Sequence, residues 1–598
     1  MLRALSKYAT DKDLAAEPGF KAKQVKWAIV FDGSGRFVEV IELGNVGDPK
    51  NKGQTFKKCP DLSQPEMIAG GQTRSQFLID TAEVVALFSK QLDAVKEDPT
   101  DTKIIAKHAC FLEMLRDASD PKPEWRAVAD ALAADDTLEK IRARLKQLKA
   151  KGTDKVTLCV EGQFAVEQDW WGGWWQKYRE SLSSTEKKAR HVMRCFVTGQ
   201  LDEPAKTHPK VTGLASVGGQ PSGDVLIGFD KDAFCSYGLA QSENAAVSQE
   251  AAAVYRAALD HLLKESSYVL GGSVKIVHWF KENVTSQDNP LDFLMENPET
   301  KESVAQQRCR ELLQSIESGR RPDLQANHYY ATTLSGASGR IMVRDWMEGT
   351  FAELVRNVLS WFDDLAITRP EGESLAKEPK FLAVLGSFVR DLKDLEPHGA
   401  LVSKVWRAAI KGEAIPHVAQ TQALHRFRSD IFEDKPFNPV RMGLLRAYML
   451  RKYRFQGGDA MASDLKPFLN ENHPHPAYHA GRLLAVMAAL QKRALGSVGA
   501  GIIQRYYAAA SATPALVLGR LARTSQFHLS KLENENIANW YENTLANIWS
   551  RIESNLPRTL DLDEQSIFAL GYYQQIAHMR SLGTRSEKSS EAKEGEDL

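Results

Sequence analysis

The residues best suited to chemistry lie in a stretch rich in glycine, lysine and polar side chains, residues 50–76. Its candidate binding residues are Lys50, Lys52, Lys57, Lys58, Gln72, Thr73, Arg74, Ser75 and Gln76. Lysine neutralises phosphate, and glycine allows a backbone to approach phosphate closely. Glutamine, threonine and serine hydrogen-bond base edges, while arginine does so with two bonds or enters a narrow minor groove. The stretch lacks apolar periodicity, which predicts either a functional loop or a solvated loop with incidental lysines.

Two other features could contact nucleic acid. The loop at 218–223 is similarly rich in Gly, Ser and Gln, although such a composition is most often a surface turn. Four tryptophans surround a Gly-Gly pair: Trp170, Trp171, Trp174 and Trp175. Their rings can stack on bases. At this density, tryptophans more often belong to a core or a subunit interface.

The last part of the chain carries a recurrent series of basic residues. Its members are Arg482, Lys492, Arg493, Arg505, Arg520 and Arg523. Such a series, with Tyr506 and Tyr507 nearby, can line a track for single-stranded nucleic acid. Helix faces exposed to solvent would give the same pattern, so both interpretations stay open, as they do for the basic and apolar run at 441–455.

Motifs for catalysis are missing from the sequence. It contains no GxxxxGK[ST] phosphate loop, no HExxH zinc motif and no nucleophile elbow between a strand and a helix. One histidine cluster, His473, His475 and His479, lies among prolines that set a turn before a helix. This context favours capping and turn packing over metal ligation. The six cysteines form no CxxC pair and are typical of reduced thiols. We predict no catalytic residues, metal or cofactor.

The charge balance is informative because Lys+Arg and Asp+Glu both total 77. A freely acting nucleic-acid binder is usually basic overall, so composition alone argues mildly against that function. A subunit held on nucleic acid by neighbouring proteins needs only local basic patches. No stretch approaches the roughly 18–20 uncharged apolar residues of a membrane span, and the first residues lack an apolar signal region. We expect a cytoplasmic protein without membrane contacts.

The elements that must position these residues predict an α+β fold. Alternating VKWAIVF and FVEVIEL flank the turn Asp32-Gly33-Ser34-Gly35, which predicts a β-hairpin over 25–44. Helical periodicity follows at 78–150, and a later helix begins after an N-cap near Ser248. Further strands are predicted at 155–160, 191–199, 273–280 and 328–346.

The sequence pattern changes after residue 350, where helical periodicity of the apolar residues dominates. We predict a mixed α/β body with β-hairpins and loops at 1–345, followed by a helical connecting region at 346–460. A helical bundle is predicted at 461–583 and a disordered charged tail at 584–598.

Several segments, in chain order, carry a resemblance to one family. They are CFVTGQLDEPAKTHPKVTGLASVGGQPSG (195–223), AFCSYGLAQSENAAVSQEAAAVYRAALDHLL (233–263), HYYATTLSGASGRIMVRDW (328–346) and RLLAVMAALQ…RYYAAASATPA (482–515). The second resembles the signature F-x-SYG-x-x-Q-x-x-NA-x-VS. The chain thus resembles the large subunit of the type I-C CRISPR Cascade complex. The occurrence of all four segments in order is stronger evidence than any single motif.

The resemblance implies a non-catalytic subunit of an RNA-guided complex. Base pairing with the guide identifies the target, while the protein recognises a short flanking motif and opens the adjoining duplex. The resemblance assigns that motif to the loop at 50–76, where Gly71-Gln72-Thr73-Arg74-Ser75 reorders the polar residues of the family's Gly-Arg-Thr-Ser-like loop. The loops at 218–223 and 231–244 are second candidates. Their named residues are Gln220, Ser222, Lys231 and Asn244.

The resemblance also implies partners. These are the backbone subunits bound to the guide RNA, the subunit on its 5′ handle, small subunits, target double-stranded DNA and a helicase-nuclease. The 461–583 bundle resembles the small subunits, which implies that its basic residues follow the displaced strand. The family makes such small subunits separately by internal initiation, for which Met461 and Met487 are the in-frame candidates. The sequence leaves both, or neither, open.

Two alternative functions remain at this point. The chain could be a purely architectural subunit whose neighbours recognise the flanking motif. It could also be a nuclease with an unrecognised site. The sequence does not state which flanking motif or groove is recognised, or where the helicase-nuclease docks.

Overall fold

The computed structural model describes most of the chain. The described residues are 1–14, 18–46, 48, 51–62, 66–67, 71–88, 102–183, 192–295, 305–372, 374–433, 438–496, 499–552 and 555–594, with the backbone alone at 183 and 583–594. The chain forms two compact units. Unit 1 comprises Met1–Ala215, Gly219–Glu265 and Gly336–Ile341, and unit 2 comprises Ser216–Gly218, Ser266–Ser335 and Met342–Leu598.

Unit 1 combines helices with short strands. Its described helices are α1 (Leu2–Asp11), α2 (Ala82–Val85), α3 (Thr102–Ala118), α4 (Pro123–Leu132), α5 (Asp135–Gln147), α6 (Gly172–Ser183) and α7 (Gln249–Glu265). Its described strands are β1 (Phe20–Val25), β2 (Trp27–Phe31), β3 (Phe37–Glu42), β4 (Gln54–Pro60), β5 (Ile79–Thr81), β6 (Lys155–Val160), β7 (Gln163–Phe164), β8 (Met193–Arg194), β9 (Leu201–Asp202), β10 (Lys210–Val211) and β11 (Asp224–Val225).

Unit 2 begins with strands and continues as helices. The strands are β12 (Ser267–Leu270), β13 (Val274–Phe280), β14 (His328–Ala337) and β15 (Arg340–Thr350), and the tip joining the last two belongs to unit 1. The described helices are α8 (Pro290–Met295), α9 (Ala305–Glu317), α10 (Pro322–Gln325), α11 (Phe351–Leu365), α12 (Phe381–Gly386), α13 (Gly399–Lys411), α14 (His417–Phe432), α15 (Pro439–Phe455), α16 (Asp459–Asp464), α17 (Pro476–Leu495), α18 (Ile502–Ala510), α19 (Pro514–Leu529), α20 (Glu535–Ile552) and α21 (Leu562–Glu594). The predicted α+β class is confirmed.

The main sheet of unit 1 has the order β3–β2–β6–β5, with β7 beside β6. The predicted hairpin at 25–44 is confirmed as β2 and β3, whose turn is closed by Asp32. Its Oδ1 accepts hydrogen bonds from the backbone N–H groups of Ser34 and Arg36, both at 2.9 Å. Gly35 has φ +81°, a conformation that glycine adopts without a steric penalty. Strand β2 is buried on both faces, so it anchors the core of this unit.

The strand predicted at 191–199 is mostly wrong, because within its described part, 192–199, only β8 forms. The chain turns directly after β8, where the N–H of Cys195 donates to Gln200 O and the N–H of Gly199 donates to Cys195 O, each at 2.8 Å. The remaining predicted strands are confirmed as β6, β13, β14 and β15. The predicted N-cap is also confirmed, since Ser248 Oγ accepts from the N–H of Ala251 at 3.3 Å.

Unit 2 has one continuous apolar core that runs from Leu270 on β12 to Tyr573 on α21. It joins the regions predicted as 346–460 and 461–583. Phe427 on α14 packs edge-on against Tyr507 on α18 at 5.2 Å, and Arg428 Nη2 donates to Gln565 Oε1 at 2.7 Å. The compact units therefore have bounds that differ from the predicted segments.

Helices α17 and α21 cross with their backbones in close contact, because each contributes a glycine. A Cβ placed at Gly481 would lie 2.1 Å from Phe568 O, and one at Gly571 would lie 2.1 Å from Tyr478 O. Small residues permit this approach, and the large side chains around the crossing fill the core on both sides.

The basic run at 441–455 is largely internal. Arg446 donates to the carbonyl oxygens of Leu465 and Asp364 at 2.7 and 2.9 Å. Arg451 Nε donates to the fully buried carboxylate of Asp364 at 2.8 Å. Guanidinium groups are costly to bury unless acceptors surround them, so these arginines stabilise the packing of α15 and are withheld from ligands.

Helix α21 extends its backbone through residues 584–594, where the sequence predicts a disordered tail. The stretch SEKSSEAKE contains three glutamates, two lysines and one alanine, which favour a helix, and three serines, which favour it less. Residues 595–598 lie outside the described residues. Among the described helices, none combines the length and apolar character that a membrane span requires.

The glycine crossing yields a test with a matched control. We expect Gly571→Ala to destabilise the protein by about 1–3 kcal/mol, because its methyl group forces two helix backbones apart. Gly519→Ala in α19 adds a methyl group with no atom within 4 Å, and should stabilise by up to about 1 kcal/mol. Thermal unfolding followed by circular dichroism should show melting shifts of opposite sign. Equal shifts would refute the close crossing.

Candidate nucleic-acid interface

The stretch predicted as a loop at 50–76 contains a strand, β4, so that prediction is wrong for residues 54–60. Strands β1 and β4 pair antiparallel, and their register shifts between Lys21↔Cys59 and Lys23↔Phe56. One residue of β1 therefore opposes two residues of β4, Lys57 and Lys58, which is a β-bulge. The bulge breaks the alternation of the strand and exposes both lysines side by side. Lys58 also lies over the ring of Phe20, with Nζ 4.7 Å from the centroid.

Gln76 ties the end of β4 to the start of the next element. Its Oε1 accepts from the N–H of Leu62 at 2.9 Å, and its Nε2 donates to Leu62 O at 3.1 Å. The backbone N–H of Gln76 donates to Asp80 Oδ2 at 2.8 Å. Both the side chain and the backbone of Gln76 are thus occupied in closing the segment.

Lys23 on β1 is a buried cation beneath this closure. Its Nζ donates to Pro60 O at 2.6 Å and to Gln76 Oε1 at 3.2 Å, and it pairs with Asp61 at 3.2 Å. Arg256 lies 3.4 Å from the same carboxylate. Although burial raises the pKa of Asp61, the neighbouring cations outweigh it and hold that pKa below its usual value. Sequence patterns gave no signal for Lys23 or Asp61, because their pairing is non-local.

Arg74 and Ser75 are turned into unit 1. Arg74 is buried, its N–H donates to Met67 O at 3.0 Å and its Nη2 donates to Gln72 Oε1 at 3.1 Å. Ser75 is fully buried. Gln72 and Thr73 are exposed, and Arg74 fixes the carbonyl end of the Gln72 side chain. The carbonyl oxygen of Gln72 is thus engaged within the segment.

The structure exposes some of the predicted binding residues and places others in internal contacts. Lys50 lies outside the described residues. Lys52, Lys57, Lys58, Gln72 and Thr73 are exposed, whereas Arg74 and Gln76 hold the segment in place and Ser75 is buried. The clamp at Gln76 brings the end of β4, two residues after Lys58, to the base of the segment that carries Gln72.

The second candidate loops are mostly exposed. Gln220, Ser222 and Lys231 are exposed to solvent. Asn244 instead shapes its loop, since its Oδ1 accepts from the N–H of Ser236 at 2.9 Å and its Nδ2 donates to Gln241 O at 2.8 Å. Asn244 is thus a positioning residue in the structure.

The tryptophans form part of the core of unit 1. Trp171 and Trp175 are buried, and their indole nitrogens donate to Ala165 O and Gly19 O at 3.0 and 2.9 Å. Trp175 stacks on Phe77 with ring centroids 5.6 Å apart. The packing interpretation of these residues is confirmed, and the cluster anchors the residue that follows Gln76.

The basic series of the last helices is also divided. Lys492, Arg493, Arg505, Arg520 and Arg523 are exposed. Arg482 is buried, and its Nε donates to Gln575 Oε1 at 2.8 Å while Nη1 bonds His479 Nδ1 at 3.2 Å. Five of the six candidates can therefore reach a ligand in this structure, and Arg482 joins α17 to α21.

The histidine cluster caps and packs helix α17, as predicted. His475 Nδ1 accepts from the N–H of Ala477 at 3.2 Å, and His473 Nδ1 accepts from the N–H of His475 at 3.1 Å. His473 stacks on Tyr478 at 4.3 Å, and His479 Nε2 bonds His473 O at 2.6 Å. Within the described ranges, no group of His, Cys, Asp and Glu side chains is arranged to hold a metal ion.

Comparison with known families matches residues 3–580 to the model of CRISPR-associated protein (Cas_Csd1). The chain belongs to the Cas_Csd1 family. This membership covers nearly the whole chain and confirms the resemblance to the type I-C large subunit. Comparison with curated proteins finds no match. In this Cas_Csd1 chain, Lys52, Lys57, Lys58, Gln72 and Thr73 are the candidate residues of this segment that the structure leaves exposed.

The buried histidines predict acid sensitivity. Burial lowers the pKa of His473 to about 3 and that of His479 to about 4, from 6.5. The unfolded chain protonates them below about pH 6.5 while the folded chain does not, so their stabilisation is present above 6.5 and lost as the pH falls toward 4. We expect a loss of about 2 kcal/mol per histidine at pH 5.

Melting temperatures at pH 7 and pH 5 measure this effect. In His473→Asn, whose side-chain oxygen can still accept from His475, the drop between the two pH values should be smaller than in the wild type. His425→Asn changes an exposed histidine of the same unit and should leave the drop unchanged. An identical drop in all three proteins would contradict the assignment.

Proposed function

We propose that this chain is the non-catalytic large subunit of an RNA-guided type I-C CRISPR Cascade complex in the cytoplasm. It recognises the protospacer-adjacent motif in double-stranded DNA, helps to open the duplex and stabilises the resulting R-loop. It also supports recruitment of the helicase-nuclease. Its partners are the guide-bound backbone subunits, the 5′-handle subunit and the small subunits.

The lysine pair on the β4 bulge is the observation that supports DNA recognition most directly. Two adjacent exposed ammonium groups can neutralise neighbouring phosphates, which positions a protein without reading sequence. Strand pairs are also narrow enough to approach a major groove. The pairing of β1 with β4 already fixes the backbone that carries the two lysines. Little of this segment therefore has to become ordered when DNA binds.

Gln72 is the side chain best placed to discriminate bases. Its oxygen is held by Arg74, which leaves the Nε2 amide as a donor of defined direction toward a base acceptor. Arg74 and Gln76 are positioning residues in this proposal, and Ser75 is buried and makes no contact with the DNA. The exposed loop residues Gln220, Ser222 and Lys231 remain second candidates for the same DNA.

The exposed basic residues of the last helices support a role in holding the displaced strand. A single strand is bound by cations that follow its backbone, and sequence-independent contacts suffice for this task.

A separate product that starts at Met487 would lack the first half of α17, including Gly481 and Tyr478 at the crossing with α21. Met461 precedes the whole of α17 and is therefore the favoured start.

Lysine and glutamine variants separate positioning from recognition. In the assembled complex, Lys57→Ala with Lys58→Ala should weaken binding equally to duplexes with any flanking motif. It should also lower the slope of log K against log salt concentration by about two. Gln72→Ala should cost about 1–3 kcal/mol on the correct flank only and reduce discrimination between flanks. Binding isotherms on correct-flank and wrong-flank duplexes, at several salt concentrations, measure both effects.

Lys140→Ala, which removes an exposed lysine on α5, is the control and should change neither quantity. Unchanged affinity and discrimination in the lysine and glutamine variants would favour the purely architectural alternative. Cleavage of labelled DNA by the purified chain with Mg²⁺, abolished by one carboxylate substitution, would establish the nuclease alternative instead.

A further inference from the structure

The segment that forms α17, α18 and α19 is free of acidic residues. The sequence contains no Asp or Glu between Glu471 and Glu533, in a chain whose total charge is zero. It contains seven cations, Arg482, Lys492, Arg493, Arg505, Arg520, Arg523 and Lys531. Such a local excess, in the absence of any overall excess, favours an anionic partner at this surface.

The exposed cations of this segment are also unpaired. Among the described residues, the side chains of Arg505, Arg520 and Arg523 take part in no ion pair and no hydrogen bond, and neither do those of Lys492 and Arg493. Elsewhere in unit 2, the exposed arginines Arg356 and Arg310 have carboxylate partners at 3.2 and 3.8 Å. Other exposed arginines in the described part of unit 2, Arg390 and Arg558 among them, likewise have no ion pair, so what distinguishes this segment is its lack of acidic residues.

Helix α19 arranges two of these cations in a stripe with apolar side chains at both ends. Leu516, Arg520, Arg523 and Phe527 follow at intervals of four, three and four residues, which places them on one face over roughly 16 Å. All four are exposed, with Phe527 at 67% and Leu516 at 76%. The opposite face, with Val517, Leu518 and Leu521, is buried.

We propose that this stripe binds single-stranded nucleic acid, with the Phe527 ring stacked on a base and Arg520 and Arg523 on the adjoining phosphates. Leu516 offers apolar contact at the other end. A duplex presents phosphates but keeps its base faces stacked, so it gives Phe527 no partner. A single strand presents both groups, and stacking of this kind tolerates any base. The inference rests on the proposed function and identifies where the displaced strand would be held.

The test uses the full chain and three fluorescent probes: a single-stranded oligothymidylate, an abasic strand of the same length, and a duplex. Phe527→Ala should weaken oligothymidylate binding about tenfold and leave the abasic strand and the duplex unaffected. Phe527→Tyr should restore binding, because its ring also stacks. Arg520→Ala with Arg523→Ala should lower the salt slope on both single strands by about 1.4.

Phe432→Ala is the matched control, since Phe432 is equally exposed at 67% on α14, outside the acid-free segment. It should bind all three probes as the wild type does. Unchanged oligothymidylate binding by Phe527→Ala, or an equal loss on the abasic strand, would overturn the proposal. So would loss of that variant from the assembled complex with single-strand binding intact, because the stripe would then contact a protein.

The outcome is separable from that of flank recognition. Discrimination between flanks depends on Lys57, Lys58 and Gln72 in unit 1 and is measured on duplexes. If discrimination is absent while Phe527→Ala loses base-dependent binding, the recognition function fails and the single-strand site stands. If discrimination holds while Phe527→Ala binds the oligothymidylate normally, only the single-strand site fails.

Discussion

The cost of burying a cation is the constraint on which much of this structure depends. A guanidinium or ammonium group loses its hydration inside a protein and must be surrounded by acceptors. Arg451 meets the buried carboxylate of Asp364, and Arg441 meets Asp430 at 2.5 Å. Lys23 meets Asp61 and two carbonyl groups. Arg451 and Lys23 join segments that are distant in the chain through these pairs, and Arg441 does so through Ser387 O at 2.6 Å. Neutralising the buried charges and packing the core therefore depend on the same contacts.

This constraint also determines which cations remain for ligands. Arg482 and Arg520 are the same residue type in neighbouring helices, yet Arg482 is enclosed between α17 and α21 while Arg520 faces solvent. In unit 1, Arg74 is enclosed while Lys57 and Lys58 are exposed by a bulge. A cation whose hydrogen bonds are satisfied internally cannot also neutralise phosphate without giving up those contacts. Exposure of the charged group to solvent is therefore the first physical criterion for a binding cation.

Local signals predicted local structure well. The alternation around Asp32 to Gly35 predicted the β2–β3 hairpin, the Ser248 cap predicted α7, and the prolines around His473 predicted a capped helix start. Each depends on contacts within a few residues. The strand β4 was missed because the Lys57-Lys58 bulge breaks the alternation by which strands are recognised. The bounds of the compact units differ from the predicted segments, because they depend on contacts between residues far apart in sequence.

For the candidate site, the sequence identified residue types but not their directions. It could not separate Gln72, which is exposed, from Gln76, which closes the segment through Leu62 and Lys23. It could not separate Arg482 from Arg523 either, because helical periodicity at 476–529 is dominated by alanine and leucine on more than one face. In these cases the direction of the side chain depends on its partners on other elements. The periodicity of the sequence carries no information about those partners.

The neutral total charge, at first an argument against nucleic acid, has a structural explanation. Acidic residues are absent between Glu471 and Glu533, so the carboxylates that balance the total lie elsewhere in the chain. At physiological salt, charges interact over about 8 Å, so a distant carboxylate does not cancel an exposed cation. A phosphate near α19 therefore meets Arg520 and Arg523 on a helix that carries no acidic residue of its own. Neutrality overall limits non-specific attraction at long range, which suits a subunit placed on its nucleic acid by neighbouring proteins.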